Sequence, residues 1–174
     1  TKRLIELVPT YNNRFKLYAE MGYGEQKAEG IFAHFNKNNT FVCLTLAVWS
    51  EIAFRSREEV VNDPRLKFVP SWKADSWSQL AMEIEKEKHL ANLRSSRQKS
   101  LDIVGAMNRA GVELLAGTDA GMPYCIPGFS LHDELALFVR AGLSPLEALR
   151  TATYNPAKCY GMLDSIGTIE QGKI

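Results

Sequence analysis

The pentapeptide GTDAG at residues 117–121 decides how this chain is expected to fold and where its chemistry is expected. The short apolar run before it, Val112–Ala116, predicts a buried strand. A loop rich in glycine and proline follows the pentapeptide, and a helix is expected to begin at Ser130. Parallel α/β folds place reactive groups in the loops at the carboxyl ends of their strands. Asp119 is therefore the leading candidate for a catalytic residue.

Helix start and stop signals are sharp downstream of this loop. Ser130 with Asp133 approximates an N-capping pattern, and Gly142 is expected to end the helix. The sequence SPLE at residues 144–147 is a capping box with proline at the first helical position, which predicts a second helix. The pair Asn155-Pro156 should break that helix and start a further short turn.

The upstream part of the chain mixes helical and strand-like patterns with irregular sequence. Gly111 should stop the last of its helices. The predicted segments are a loop over Leu7–Tyr18, a helix over Glu25–Phe35, a strand over Thr40–Trp49, a short helix with an irregular insertion over Ser50–Lys73, and one long amphipathic helix over Ser76–Arg109.

Composition bounds the class of protein. The chain has 174 residues, 45% of them hydrophobic, with 21 Lys+Arg against 20 Asp+Glu. This balance argues against nucleic acid or an anionic membrane as a partner, and no apolar run approaches a membrane span. The three cysteines, Cys43, Cys125 and Cys159, are odd in number and widely spaced, which disfavours a disulfide framework or a zinc knuckle.

Three blocks in one order carry a resemblance to a known family. They are GTDAG, the run PGFSLHDELALFVRAGLSPLEALRTATYNPA at residues 127–157, and GTIEQGK at residues 167–173. Together they resemble the metal-dependent amidohydrolase superfamily, most closely its imidazolonepropionase-like and prolidase-like members. The resemblance extends more faintly to Ile31–Trp49, which is similar to a helix and the seventh strand of the same barrel.

The resemblance implies an α/β fold of the TIM (β/α)8 type, of which this helix-rich chain would supply the last two to three β/α units. We therefore expect residues 1–174 to be a single incomplete domain, with residues 167–174 starting the flanking β-sandwich. The chain begins with Thr1 rather than Met, so the absence of a signal peptide gives no information about the natural N-terminus. Unpaired strand edges would favour self-association.

The resemblance also implies roles for particular residues. Asp119 would contact the catalytic metal and pass a proton from the attacking water to the leaving group. His132 matches a frequent histidine of the relatives and would contact substrate, and Tyr124 would line the pocket in the same loop. The alternatives are structural: Asp119 could cap its own loop, and His132 could cap or pack the start of its helix.

The rest of a family metal site cannot be assigned in this sequence. No His-x-His occurs, and His34 and His89 fall within predicted helices as ordinary surface or boundary residues. Because zinc sites usually need three or more protein ligands, one aspartate is not enough. We expect a divalent metal, zinc first, in the full-length protein and none held by this chain alone.

Two functional hypotheses follow. In the first, the chain belongs to a metal-dependent hydrolase of C–N bonds, acting on a small-molecule amide, a cyclic amide or a dipeptide, and is inactive by itself. In the second, it is a non-catalytic structural or assembly fragment. A His-x-His encoded upstream of Thr1 would favour the first hypothesis. The sequence assigns no compartment, and cytoplasm and periplasm both stay open.

Overall fold

The computed structural model describes residues 25–86 and 89–174, and the loop expected over Leu7–Tyr18 lies outside them. Helices dominate the described part of the chain, and two short strands are set among them. In chain order the elements are α1 (Glu25–Lys37), β1 (Phe41–Leu44), α2 (Ala47–Phe54), α3 (Arg57–Val61), a 3-10 helix (Pro64–Phe68), α4 (Ser71–Lys86), α5 (Leu90–Arg109), β2 (Glu113–Ala116), α6 (Ser130–Arg140), α7 (Pro145–Ala152) and α8 (Tyr154–Cys159).

The two described strands pair in parallel. Phe41 is the partner of Glu113 and Leu44 the partner of Ala116, and the pairing continues where the Gly117 amide donates to Leu44 O at 2.7 Å. A Cβ on Gly117 would lie 2.6 Å from Cys43 Sγ and 2.9 Å from Leu44 O, so only glycine fits this close approach. The helix-rich α/β class expected from the sequence is confirmed in this form, with two parallel strands described.

The described residues fall into two compact units. The first unit comprises residues 46–86, 89–100 and 118–130, so it joins the long segment after β1 to the loop after β2. Its core gathers aliphatic and aromatic side chains from α2, α3, α4, α5 and that loop. The most deeply buried are Ala53, Val60, Trp77, Leu80, Leu93 and Ile126.

The second unit comprises residues 25–45, 101–117 and 131–174. The strand pair belongs to it, and α7 and α8 both contact β2. The Asn155 side chain donates to Leu114 O at 2.8 Å, and Lys158 forms an ion pair with Glu113. These polar contacts fix the C-terminal helices against the strand whose carboxyl end leads to residues 117–121.

Most of the local helix signals are confirmed. Ser144 caps α7: its hydroxyl accepts from the Glu147 amide at 3.3 Å, and Glu147 Oε2 accepts from the Ser144 amide at 2.7 Å. Gly111 and Gly142 follow α5 and α6 with φ of 76° and 106°. The helix α6 begins at Ser130 as expected, but Ser130 does not cap it, since its hydroxyl donates back to Ile126 O at 3.0 Å.

The strand predicted over Thr40–Trp49 was wrong in its length. β1 ends at Leu44, and α2 begins at Ala47 with a kink where Val48 and Trp49 leave helical geometry. An apolar run cannot by itself distinguish a buried strand from a buried helix, since both hide apolar side chains. Leu46, Ala47 and Trp49 are all buried, and this burial overrides the β-branched character of the run.

The single helix predicted over Ser76–Arg109 was also wrong. It is two helices, α4 starting earlier at Ser71 and α5 starting at Leu90. Ile84 and Leu93 are nine residues apart and would face opposite sides of one straight helix, yet both are buried in the first unit's core. The break between α4 and α5 lets both Ile84 and Leu93 reach that core.

No helix in the described part is long and apolar enough to cross a membrane.

Candidate functional site at the Asp119 loop

The Asp119 carboxylate stands at the start of the loop after β2. The backbone of Asp119 is in the left-handed region with φ of 49°, and the residue is exposed. Its carbonyl accepts a hydrogen bond from the Met122 amide at 3.2 Å. Among the described residues its carboxylate makes no hydrogen bond or ion pair, so it is accessible to a ligand or a reacting molecule.

The loop that follows Asp119 is folded back on itself. The Gly121 amide donates to Cys125 O at 3.0 Å, and the Cys125 amide donates to Met122 O at 2.9 Å. Gly121 has φ of 108° and Tyr124 has φ of 62°, so the chain reverses through two left-handed positions. Left-handed geometry is ordinary for glycine and uncommon for tyrosine.

Aromatic contacts anchor this loop in the first unit. The Tyr124 ring lies 5.5 Å from the Trp77 ring at an interplanar angle of 45°. The Phe129 ring stacks on Phe68 at 5.4 Å. Ile126, which lies between Tyr124 and Phe129 in the sequence, is 2% exposed. The loop therefore contributes to the hydrophobic core formed by the long segment between the strands.

Tyr124, predicted from the sequence to contact substrate, is 3% exposed. Burial raises the pKa of its phenol, the nearby Ser78 hydroxyl opposes that rise, and the Asp63 carboxylate adds to it. The Tyr124 hydroxyl makes no hydrogen bond of normal geometry within the described part of the chain, and Ser78 itself donates to Ala74 O at 3.0 Å. Its role toward substrate stays a prediction.

The Lys73 side chain places a positive charge beside this loop, and the sequence did not indicate Lys73 as a neighbour of the site. Lys73 Nζ lies 3.6 Å from the point where a Cβ on Gly121 would be, and 5.4 Å from the centre of the Trp77 ring. Lys73 precedes Asp119 by 46 residues, and nothing local in the sequence connects them. Only the fold of the first unit reveals this neighbourhood. Trp77 itself is buried and packs in the core of the first unit.

His132 lies in the first turn of α6, in the second unit, and is exposed. Asp119 and Tyr124 both belong to the first unit. Glu134, two residues after His132, is fully buried. The pKa of the Cys43 thiol is raised mainly by burial of the thiol and, to a smaller extent, by the Glu134 carboxylate. Contact of His132 with substrate stays a prediction.

The described residues do not form a complete metal centre. Residues 25–86 and 89–174 contain no group of three or more His, Cys, Asp or Glu side chains able to hold a metal ion. The Asp119 carboxylate is a suitable single ligand for a divalent cation, but zinc sites in proteins use three or four protein ligands. Any metal at Asp119 would need further ligands from outside these residues.

Comparison with known proteins decides the family. Residues 40–174, more than half of the chain, match the Amidohydrolase family. The chain belongs to that family. A segment of 82 residues is 37% identical to an imidazolonepropionase of Agrobacterium fabrum, covering 44% of this amidohydrolase chain and 18% of that relative. No solved structure matches.

Membership bears on the site in two ways. Amidohydrolases commonly use divalent metals, which agrees with an exposed carboxylate at a strand end. The chain spans less than a fifth of the length of the curated relative it matches. The family assignment thus covers the Asp119 loop, and the activity of a whole enzyme is a matter for proposal.

Proposed function

We propose that this chain works as part of a metal-dependent amidohydrolase that hydrolyses a C–N bond in a small molecule. Cyclic amides of the imidazolone type and dipeptides are the substrate classes to test first. The similarity to an imidazolonepropionase supports the former class. Zinc is the metal to test first, because it polarises carbonyl groups and lowers the pKa of bound water to about 7.

The observation that carries this proposal is the setting of Asp119. Its carboxylate is exposed, follows the carboxyl end of a strand in a parallel pair, and has no partner among the described side chains. Parallel α/β folds use this position for chemistry. A carboxylate with only a structural role at a loop usually caps nearby backbone amides, since that satisfies its oxygens. Asp119 makes no such contact in the part described.

Asp119 would perform the proton transfers of the reaction. Hydrolysis of an amide adds water to the carbonyl carbon, breaks the C–N bond, and requires a proton on the departing nitrogen. An ionised carboxylate within hydrogen-bond reach of the water accepts its proton and then donates it to that nitrogen. The same carboxylate would be one ligand of the metal. His132 is proposed as a substrate contact.

The architecture we propose for the whole enzyme is a (β/α)8 barrel, with β1 and β2 as its last two strands. The parallel pairing of these strands and the helical connection between them support this arrangement. Residues 1–174 would then form one incomplete domain, and residues 167–174 would lead into a flanking β-sandwich. Metal ligands would come from the remaining strands.

A second candidate function is that the chain by itself is a non-catalytic structural or assembly piece. The observation favouring it is that residues 25–86 and 89–174 hold no three-ligand metal cluster. The two candidates are separated by measuring bound metal and hydrolysis of an imidazolone and an acyl dipeptide, for this chain and for the complete protein. We expect activity in the complete protein alone. Hydrolysis by neither would support the structural role, and hydrolysis by this chain would contradict the incomplete site.

A further inference from the structure

We propose that the segment between the strands, through Trp77 on α4 and Phe68 on the 3-10 helix, positions the loop that carries Asp119. Trp77, Phe68 and Tyr124 are in this view positioning residues, which act through Asp119 rather than on substrate. The consequence for catalysis rests on the proposed function of Asp119. The positioning itself is a property of the first unit and can be tested without any substrate.

The backbone of the loop is strained. Asp119 and Tyr124 are both non-glycine residues in the left-handed region, with φ of 49° and 62°, and they lie five residues apart. Aspartate tolerates this region, but a bulky aromatic residue there is an outlier. Such conformations persist only when the surrounding structure holds them, and they concentrate at functional sites.

The core of the first unit holds the loop in this strained conformation. Inside the loop, the hydrogen bonds of the Gly121, Met122 and Cys125 amides close a tight turn. These hydrogen bonds do not by themselves bury any apolar side chain of the loop. Burial comes from the core, where Tyr124 packs on Trp77. Because aromatic pairs have preferred geometries as well as a large buried area, this contact restricts where the loop can lie.

The loop is fixed at its other end too. Phe129 stacks on Phe68, and the Phe129 amide donates to Ile126 O at 3.1 Å. Phe68 is 62% exposed, so its ring contributes to this stack more than to the core of the unit. The loop is thus held at two points, Tyr124 and Phe129, by two different elements of the intervening segment.

The ring of Tyr124, and not its hydroxyl, carries the positioning. The hydroxyl is buried and makes no hydrogen bond of normal geometry within the described residues, whereas the ring contacts Trp77. Tyr124→Phe keeps the ring and removes a buried polar atom, so the loop should keep its order. Tyr124→Leu removes the aromatic contact and should release it.

The test is hydrogen exchange at the Gly121, Met122 and Cys125 amides of this chain. Tyr124→Leu should speed their exchange by about tenfold relative to wild type, because the loop opens more often once its anchor is lost. Tyr124→Phe should leave the rates unchanged. Equal rates in wild type and Tyr124→Leu would overturn the proposal.

Phe68→Ala tests the same idea without disturbing the core, since Phe68 is largely exposed. It should speed exchange of the Phe129 amide by about threefold or more. Trp72→Ala is the matched control: Trp72 is an aromatic residue of α4 that is 70% exposed and has no ring contact with the loop. If Trp72→Ala speeds loop exchange as much as Phe68→Ala, the effect is not positional and the proposal fails.

The catalytic consequence is measured in the complete enzyme. Tyr124→Leu should lower kcat with little change in KM, and Tyr124→Phe should restore kcat, because ring packing sets the direction of Asp119. A raised KM in Tyr124→Phe would instead show that the hydroxyl contacts substrate, which contradicts positioning by the ring alone. An inactive wild-type enzyme would defeat the proposed function, while the exchange result would still decide the positioning.

Discussion

The Arg65 side chain holds the Asp63 carboxylate with two nitrogens: Nε lies 2.9 Å from Oδ1 and Nη2 lies 2.7 Å from Oδ2. Arg55 approaches the same carboxylate at 2.7 Å, and Glu51 bonds both arginines, at 2.6 Å and 3.0 Å. Asp63 is 5% exposed. It also caps the 3-10 helix by accepting from the Arg65 amide at 2.9 Å. This four-residue cluster joins α2 to the 3-10 helix, and therefore to Phe68.

Asp63→Ala should destabilise the protein by about 2–4 kcal/mol. The substitution leaves two partly buried guanidinium groups with a single carboxylate, and breaking a buried pair from one side costs about 3–5 kcal/mol, less where water reaches the arginines. The measurement is urea unfolding. Asp75→Ala, at an exposed position of the same unit, is the control and should change stability by less than about 0.5 kcal/mol. Equal effects of the two substitutions would show that the cluster contributes nothing specific.

The same cluster predicts how stability changes with pH. Burial by itself raises the pKa of Asp63, but hydrogen bonds from Arg65 and Arg55 outweigh it and hold the pKa well below its ordinary value. A depressed pKa stabilises the fold above the unfolded-state pKa of about 3.9, and this stabilisation is lost as pH falls below it. Wild type should lose more unfolding free energy between pH 6 and pH 3 than Asp63→Asn does. Parallel losses would mean that Asp63 is not the group responsible.

Gly117→Ala should destabilise the strand pair by about 1–3 kcal/mol, since its Cβ would fall 2.9 Å from the backbone oxygen of Leu44. Thermal unfolding measures the loss. Gly30→Ala is the matched control, because Gly30 lies in α1 with nothing within 4 Å of the new Cβ. That substitution should raise stability by about 0.5–1 kcal/mol, from helix propensity alone. A neutral Gly117→Ala would show that β2 approaches β1 less closely than these distances require.

Ser144→Ala should cost about 1 kcal/mol, because it removes the hydroxyl that caps α7. The Ser144 hydroxyl and amide also hold the pKa of Glu147 below its ordinary value, so the capping contribution should fade as pH falls below the ordinary glutamate range. Urea unfolding at pH 7 and pH 3 tests both statements. Ser95→Ala, exposed on α5, should show neither effect. A Ser144→Ala loss that is as large at pH 3 as at pH 7 would argue against the capping box.

The chain by itself should associate at high concentration. In the described part each strand has one neighbour, and exposed strand edges recruit other strands. Sedimentation velocity over a range of concentrations should show mass increasing with concentration. A stable monomer throughout that range would count against unpaired edges.

The sequence was most informative where the signals are local. Ser144, Gly111 and Gly142 set helix ends through their own backbone and side chains, so their positions could be predicted without knowing the fold. The carboxylate of Asp119 at a strand end was predictable for the same reason. The resemblance at residues 117–173 pointed to the amidohydrolase family, and the match over residues 40–174 confirms that family.

What could not be predicted depends on tertiary contacts. The burial of Trp49 accompanies the kink at the start of α2. The core that contains both Ile84 and Leu93 requires a break between α4 and α5, and no glycine or proline in the sequence indicates that break. Lys73 reaches Gly121, and Trp77 reaches Tyr124, across a segment whose own sequence gives no sign of either contact. These long-range contacts define the surroundings of the Asp119 loop.

Asp119 is proposed to transfer the proton in hydrolysis of a C–N bond. The measurement closest to that step is kcat/KM for Asp119→Asn in the complete protein supplied with zinc. Asparagine keeps the size of the side chain and removes the base, so folding should be nearly unchanged while the rate falls by about 10²–10⁴. Asp75→Asn, exposed in the same unit, should be unaffected. An imidazolone and an acyl dipeptide are the substrates to use, with metal content measured for each variant. We expect wild type to hydrolyse at least one of them and Asp119→Asn to lose nearly all of that activity. An Asp119→Asn enzyme that keeps more than about a tenth of wild-type kcat/KM would contradict this role, because loss of a general base costs more than that.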